Sequence, residues 1–147
     1  MEKNKSLEAF FTEGYKRFRD GISIDCAIFG FHKEKLHVLL SKNIIITRWA
    51  LPGGFVLKEE NLEQAAKRIT TERTGMDELF FRQFKTFGEP NRNIQKDLFD
   101  YNKFAEIAGF DVPQNTWMTQ QSISIGYYAV SNLSESQPQI DIFNSEC

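Results

Sequence analysis

The residues best placed to do chemistry lie between Gly54 and Met76, in the run GFVLKEENLEQAAKRITTERTGM. Asn61 followed by Gln64 is a capping-box pattern, and Leu62, Ala65, Ala66 and Ile69 recur at helical spacing. A helix is predicted through about Thr74, closed by Gly75. Positions 69, 72 and 73 share one face of such a helix, and they hold Ile69, Glu72 and Arg73. Glu72 reads either as a working carboxylate or as a solvated helix residue. Arg73 reads either as a surface charge or as an anion contact, because a planar guanidinium suits phosphate. Glu63 and Lys67 are an i,i+4 pair on the solvated side. His32 and His37 have no neighbours at metal-ligand spacing and read as structural or surface residues.

The fixed positions of this run resemble the Nudix box: Gly, five residues, Glu, seven residues, then Arg-Glu-U-x-Glu-Glu-x-Gly-U, with U a bulky aliphatic. Gly54, Glu60, Arg68, Glu72, Gly75 and Met76 match it, and the lead-in Trp49-Ala-Leu-Pro-Gly-Gly is similar too. The resemblance implies one Nudix-like α/β domain over residues 1–147, with its box at 54–76 and an α/β/α sandwich built on a mixed sheet. It also implies a brace in which Glu60 and Arg68 pair, with Gly54 and Gly75 serving backbone geometry. In active members this helix face projects carboxylates that hold Mg²⁺ or Mn²⁺, which clamps a diphosphate and activates a water. Here the matching positions are Ile69, Glu72 and Arg73, so only Glu72 could ligate. A unit positive charge about 6 Å from a divalent ion costs about 5 kcal/mol at an effective dielectric of about 20, before screening.

Outside the box, Phe84-Lys-Thr-Phe-Gly-Glu-Pro-Asn-Arg92 is similar to a Phe-Gly-x-x-x-Arg segment in the Nudix domains of NrtR-type transcriptional regulators, and Ile123-Ser-Ile-Gly-Tyr-Tyr-Ala-Val resembles them as well. That group implies a bacterial sensor of ADP-ribose or a sugar, non-hydrolytic or weakly active, homodimeric, with DNA bound only through a downstream winged-helix domain. The ligand-binding candidates are Trp49, Gly53, Gly54, Phe55, Arg73 and Arg92, with Trp49 and Phe55 also reading as core residues instead of ligand stackers. The rival reading is a Mg²⁺- or Mn²⁺-dependent hydrolase of nucleoside diphosphate-linked substrates, with Glu72 as its surviving carboxylate and Glu89 or Asp97 assisting. A cofactor is expected only under that rival. A third reading is a purely structural dimerisation domain.

The elements that must position these residues are legible as periodicities. Leu7, Phe10, Phe11, Tyr15 and Phe18 predict an amphipathic helix over 6–19, capped by Ser6 and ended by Asp20-Gly21. Residues 22–31 and 36–40 predict a hairpin around His32–Lys35, and Ile44 to Ile46 continue as extended chain. Trp49 to Phe55 predicts a strand stopped by Pro52 and two glycines free to take positive φ. Leu79 to Phe87 and Gln121 to Val130 predict strands, the second with Ile123, Ile125, Tyr127 and Ala129 on one face. A helix is predicted from about 94 to 108, ended by Gly109, inside an insert at about 93–114, and a last short strand at Ile140, Ile142 and Phe143. The sequence then stops at Cys147, short of the covering helix that family members carry.

With 147 residues, the chain is long enough for one real core. Hydrophobic residues at 41% and charged residues at 26% are ordinary for a globular protein, and 14 phenylalanines predict an aromatic core. A net charge of −2 argues against a phosphate-tracking surface. The N-terminus lacks a signal-peptide pattern, and no apolar run approaches membrane length. Cys26 reads as a small buried hydrophobe and Cys147 as a terminal thiol, which fits a reducing cytoplasm.

Overall fold

The computed structural model describes residues 2–43, 48–90, 92, 101–112, 116–132 and 144–146. Its centre is strand β1 (Phe18–His32), whose alternation sorts its side chains to two faces. Ile24, Cys26 and Ile28 are fully buried on one side, while Ser23, Asp25 and Phe29 take the other. β1 pairs antiparallel with β2 (Lys35–Val38) and with β5 (Gly53–Leu57), and parallel with β7 (Ile123–Val130). β6 (Arg82–Phe87) adds antiparallel to β7, so the five-stranded sheet is mixed, as predicted. The β1–β2 hairpin turns at Lys33 and Glu34, both at positive φ (48° and 63°). Two such residues make the turn whose twist matches the strands. A second, three-stranded sheet joins β4 (Trp49–Ala50), β3 (Ser41–Asn43) and β8 (Asn144–Glu146).

Helix α2 (Leu62–Thr74) carries the box, and its local signals behave as the sequence implied. Asn61 accepts from the Gln64 N–H and Gln64 accepts from the Asn61 N–H, each at 2.9 Å. Gly75 ends the helix at φ 70°. Ala65, Ala66 and Ile69 are fully buried and pack with Val56, Ile24, Cys26 and Ile28. Phe55, next to Val56 on β5, points the other way, into a second cluster built on α1 (Glu2–Glu13) and α3 (Tyr101–Ala108). Adjacent strand residues facing opposite clusters put helices on both sides of the sheet, which is the α/β/α arrangement.

Several boundaries differ from expectation. α1 ends at Glu13, not 19, and a 3-10 turn (Gly14–Lys16) leads into β1. Gly14 lies under Trp117, whose indole ring occupies the space a Cβ would need. Phe18 therefore belongs to β1 and pairs with Leu57. Asp20-Gly21 does not end a helix. Gly21 (φ 67°) sits in β1 where the pairing with β5 shifts register between Phe18 and Ser23. Leu79 to Phe81 precede β6 instead of forming it, and Ile123 is about half exposed at the start of β7. Ile44 to Ile46, residues 93–100 of the predicted helix and insert, Asp97, the predicted strand at Ile140 to Phe143, and Cys147 lie outside the described residues. Cys26 is fully buried, and that burial pushes its thiol up to about 11.

Candidate functional site

The box loop is held shut from three directions. Glu60 Oε1 accepts from the Leu57 N–H (2.7 Å) and from Arg68 Nη2 (2.6 Å), and Oε2 accepts from Arg68 Nε (2.9 Å). This is a two-pronged guanidinium–carboxylate contact, the strong kind. From β1, Arg19 donates to the carbonyls of Leu57, Lys58 and Glu60. Burial pushes the Glu60 carboxyl up, but the Arg68 hydrogen bonds, the Leu57 N–H and the charges of Arg68 and Arg19 outweigh it and hold the group below its usual value.

α2 then docks along the free edge of β5 through two arginines. Arg68 Nη2 donates to the Phe55 carbonyl (2.8 Å), and Arg73 Nε donates to the Gly53 carbonyl (3.0 Å). Carbonyls two residues apart face the same strand edge, so these guanidiniums satisfy an edge that pairs with no strand among the described residues. Ile69, between them, is fully buried and packs over Gly54. A Cβ on Gly54 would lie 3.1 Å from Ile69 Cγ1, so any side chain there would push Ile69 back by a few tenths of an ångström.

Between α2, β5 and the end of α1 lies a cleft of about 700 Å³. Phe10, Phe18 and Phe55 give it apolar walls. Lys16, Arg17, Arg68 and Arg73 face it against two carboxylates, Glu13 and Glu72. Both carboxylates are already engaged: Glu13 with Lys16 at 3.1 Å and Glu72 with Arg68 at 3.0 Å. The Arg17 guanidinium lies over the Phe18 ring (5.8 Å) and makes no ion pair among the described residues. Such a cleft can receive an anion. Its donor set does not fit a hard divalent cation. Ile69 has no donor atom, Arg73 is cationic, and among the described residues no three His, Cys, Asp or Glu side chains converge.

The expected ligand residues separate spatially. Phe55 and Arg73 line the cleft. Gly53 and Gly54 are strand residues of β5 rather than turn residues, and neither takes positive φ. Trp49, half exposed on β4, does not line the cleft. Arg92 is not among the lining residues either. It lies over the Phe87 ring (5.4 Å) and 3.7 Å from Asp25. Lys16, Arg17 and Asp25 were missed. Lys16 and Arg17 fall within the helix expected over 6–19, and Asp25 within the strand expected over 22–31. The pair Lys16-Arg17, at the end of the 3-10 turn that follows the helix, was the available signal.

The family model described as NUDIX domain matches residues 20–116. The chain is 34% identical over 77 residues to the ADPR responsive transcriptional repressor NtrR of Acinetobacter baylyi, which covers 49% of this chain and 31% of that protein. It therefore spans about a third of the length of that curated relative. In fold it is similar to the NUDIX domain of Shewanella oneidensis NrtR complexed with ADP ribose (TM-score 0.63, 22% identity, 99% of this chain and 80% of that one). It is equally similar to a MutT/nudix family protein from Enterococcus faecalis (TM-score 0.64, 23% identity, 99% and 52%). A C. elegans Ap4A hydrolase shares the fold as well (TM-score 0.58, 15% identity, 85% and 75%), so fold alone does not choose between sensing and hydrolysis. The match over most of the chain, together with the braced loop and capped helix of residues 54–76, places this protein in the NUDIX domain family.

Proposed function

We propose that this domain binds a nucleoside diphosphate joined to a sugar, of the ADP-ribose kind, without a divalent cation and without hydrolysing it. In this reading it is the cytoplasmic sensor part of a bacterial transcriptional regulator, and DNA is bound by a downstream winged-helix domain. One observation carries the reading: where a metal-binding face would present carboxylates, Ile69 is buried, Glu72 is tied to Arg68, and Arg73 joins Arg17 and Lys16 around the cleft. Fixed guanidiniums can neutralise a diphosphate in place of a cation. Support for the ligand class comes from the repressor described as ADPR responsive and from the Shewanella domain holding ADP ribose.

Calorimetric titration with ADP-ribose in EDTA should give saturable binding that Mg²⁺ or Mn²⁺ does not strengthen, with no product by chromatography. Arg73→Ala should weaken binding about tenfold or more, the usual loss when a hydrogen bond to a charged group is removed. Metal-dependent product release that disappears in Glu72→Gln would establish the hydrolase instead.

We also read the domain as a homodimer. Phe31 and Leu36 pair across β1 and β2, and Phe29 pairs with both Val38 and Val130. Phe31, Leu36, Val38 and Val130 are all solvent-exposed on the sheet face away from α2. A contiguous apolar patch of this kind favours self-association. Sedimentation velocity should show a dimer that Phe31→Glu dissociates. A monomer at every workable concentration removes this part of the reading.

A further inference from the structure

On the face of the sheet opposite α2, Asp25 sits mid-strand on β1 between two glycines, Gly53 on β5 and Gly126 on β7. Its two oxygens have different surroundings. Oδ2 accepts from the Ser124 hydroxyl and lies 3.7 Å from Arg92 Nη2. Oδ1 leans over Gly53, so closely that a Cβ there would fall 2.6 Å from it. Oδ1 accepts no hydrogen bond among the described residues, and the side chain is 39% exposed. The residues around it are small: Ser23, Ala27, Ser124, Gly53 and Gly126, the last with the Phe84 and Phe87 rings filling the space over it. Aromatic rings stand on both sides, with Phe55, Phe18 and Trp117 at one end and Phe84 and Phe87 at the other.

Strand β5 runs from the cleft towards Asp25. Leu57, Phe55 and Gly53 follow one another on one face of β5. Leu57 and Phe55 line the cleft, whereas Gly53 touches Asp25 and gives its carbonyl to Arg73. One such step along a strand is about 7 Å, on the order of the separation between a bound phosphate and the sugar attached to it.

We propose that Asp25, held in place by Ser124 and Arg92, is the hydroxyl-recognising end of the ligand site and binds the vicinal diol of a ribose-type ring. The free Oδ1 accepts a hydroxyl proton, the Arg92 guanidinium donates to the neighbouring hydroxyl, and the aromatic walls flank the ring. The inference rests on the proposed binding of a sugar-linked diphosphate in the cleft. The diol could belong to the nucleoside or to a terminal sugar, and the probes separate these.

The test titrates the intact chain with inorganic pyrophosphate, ADP, 2′,3′-dideoxy-ADP and ADP-ribose, in wild type, Asp25→Asn and Arg73→Ala, with thermal melting of each variant. A site built around a hydroxyl strongly rejects the analogue that lacks it. Wild type should therefore prefer ADP to the dideoxy analogue about tenfold if the nucleoside diol is read, or ADP-ribose to ADP by a similar factor if the terminal sugar is read. Asp25→Asn, nearly isosteric, should abolish that preference while leaving pyrophosphate binding and melting unchanged. Arg73→Ala should weaken every ligand and keep the preference. Pyrophosphate binding with an Asp25→Asn variant that keeps wild-type selectivity, or that loses affinity for all four probes alike, overturns the diol proposal alone. Binding of none of the four by wild type overturns both readings.

Discussion

Replacing Ile69 by glutamate, the residue the Nudix pattern places there, should cost about 3–5 kcal/mol of folding stability, in the range found for an uncompensated buried charge. Ile69 is fully buried among Ile24, Val56, Ala65 and Ala66, with Gly54 directly above it. The neighbouring cations already have partners: Arg68 is engaged with Glu60, Glu72 and the Phe55 carbonyl, and Arg73 with the Gly53 carbonyl, so a carboxylate there would have to break existing contacts to be balanced. The buried acid would have a raised pKa, so the penalty should be greatest at neutral pH. It should shrink as pH falls and the group takes up its proton. Urea denaturation of wild type and Ile69→Glu at neutral and mildly acidic pH measures both effects. A variant within 1 kcal/mol of wild type that gains Mn²⁺ binding would mean that position 69 can still face the cleft, and the metal-free reading would fall.

Removing Arg68 should be almost as damaging, about 3 kcal/mol for Arg68→Ala. The change strips both prongs from Glu60, whose side chain is only 11% exposed, and uncaps the Phe55 carbonyl. It also releases Glu72. The dependence on pH has a definite sign. The folded-state pKa of Glu60 is held below its usual value, so its contribution is fully present above about pH 4.3, the unfolded value. That contribution is lost as pH falls through the lowered folded pKa. In Arg68→Ala the upward push of burial loses its main opponent, so the variant should fall furthest behind wild type at neutral pH and approach it in acid. Arg68→Lys should recover only part of the loss, because an ammonium cannot make the two-pronged contact. A gap between wild type and Arg68→Ala that stays constant from neutral pH to pH 4 would show that the brace carries no electrostatic share.

How much of this site could be read from the chain follows from sequence distance. The capping box of Asn61 and Gln64, the left-handed Gly75 and the Glu60–Arg68 pair join residues within eight positions of one another, and all three were predicted. Gly53 and Gly54 were legible as necessary glycines but not for the right reason. Their constraint is the approach of Asp25 and Ile69 from elements far away in sequence, not a turn. The first helix was drawn six residues too long because Tyr15 and Phe18 continue its apolar spacing, and spacing alone cannot register that Trp117 fills the place above Gly14.

By itself, then, the amino-acid order determined the family, the mixed α/β class and the loss of two acids from the box helix, because these reside in short spacings and side-chain chemistry. Only the tertiary structure decided that Arg73 reaches across to the edge of β5, that Arg17 turns into the cleft, and that Arg92 and Ser124 converge on Asp25. Asp25 and Ser124 are 99 positions apart in the chain, and parallel pairing of β1 with β7 is what makes them neighbours. Such a contact leaves no periodic trace in either segment, since each strand alternates as it would against any partner.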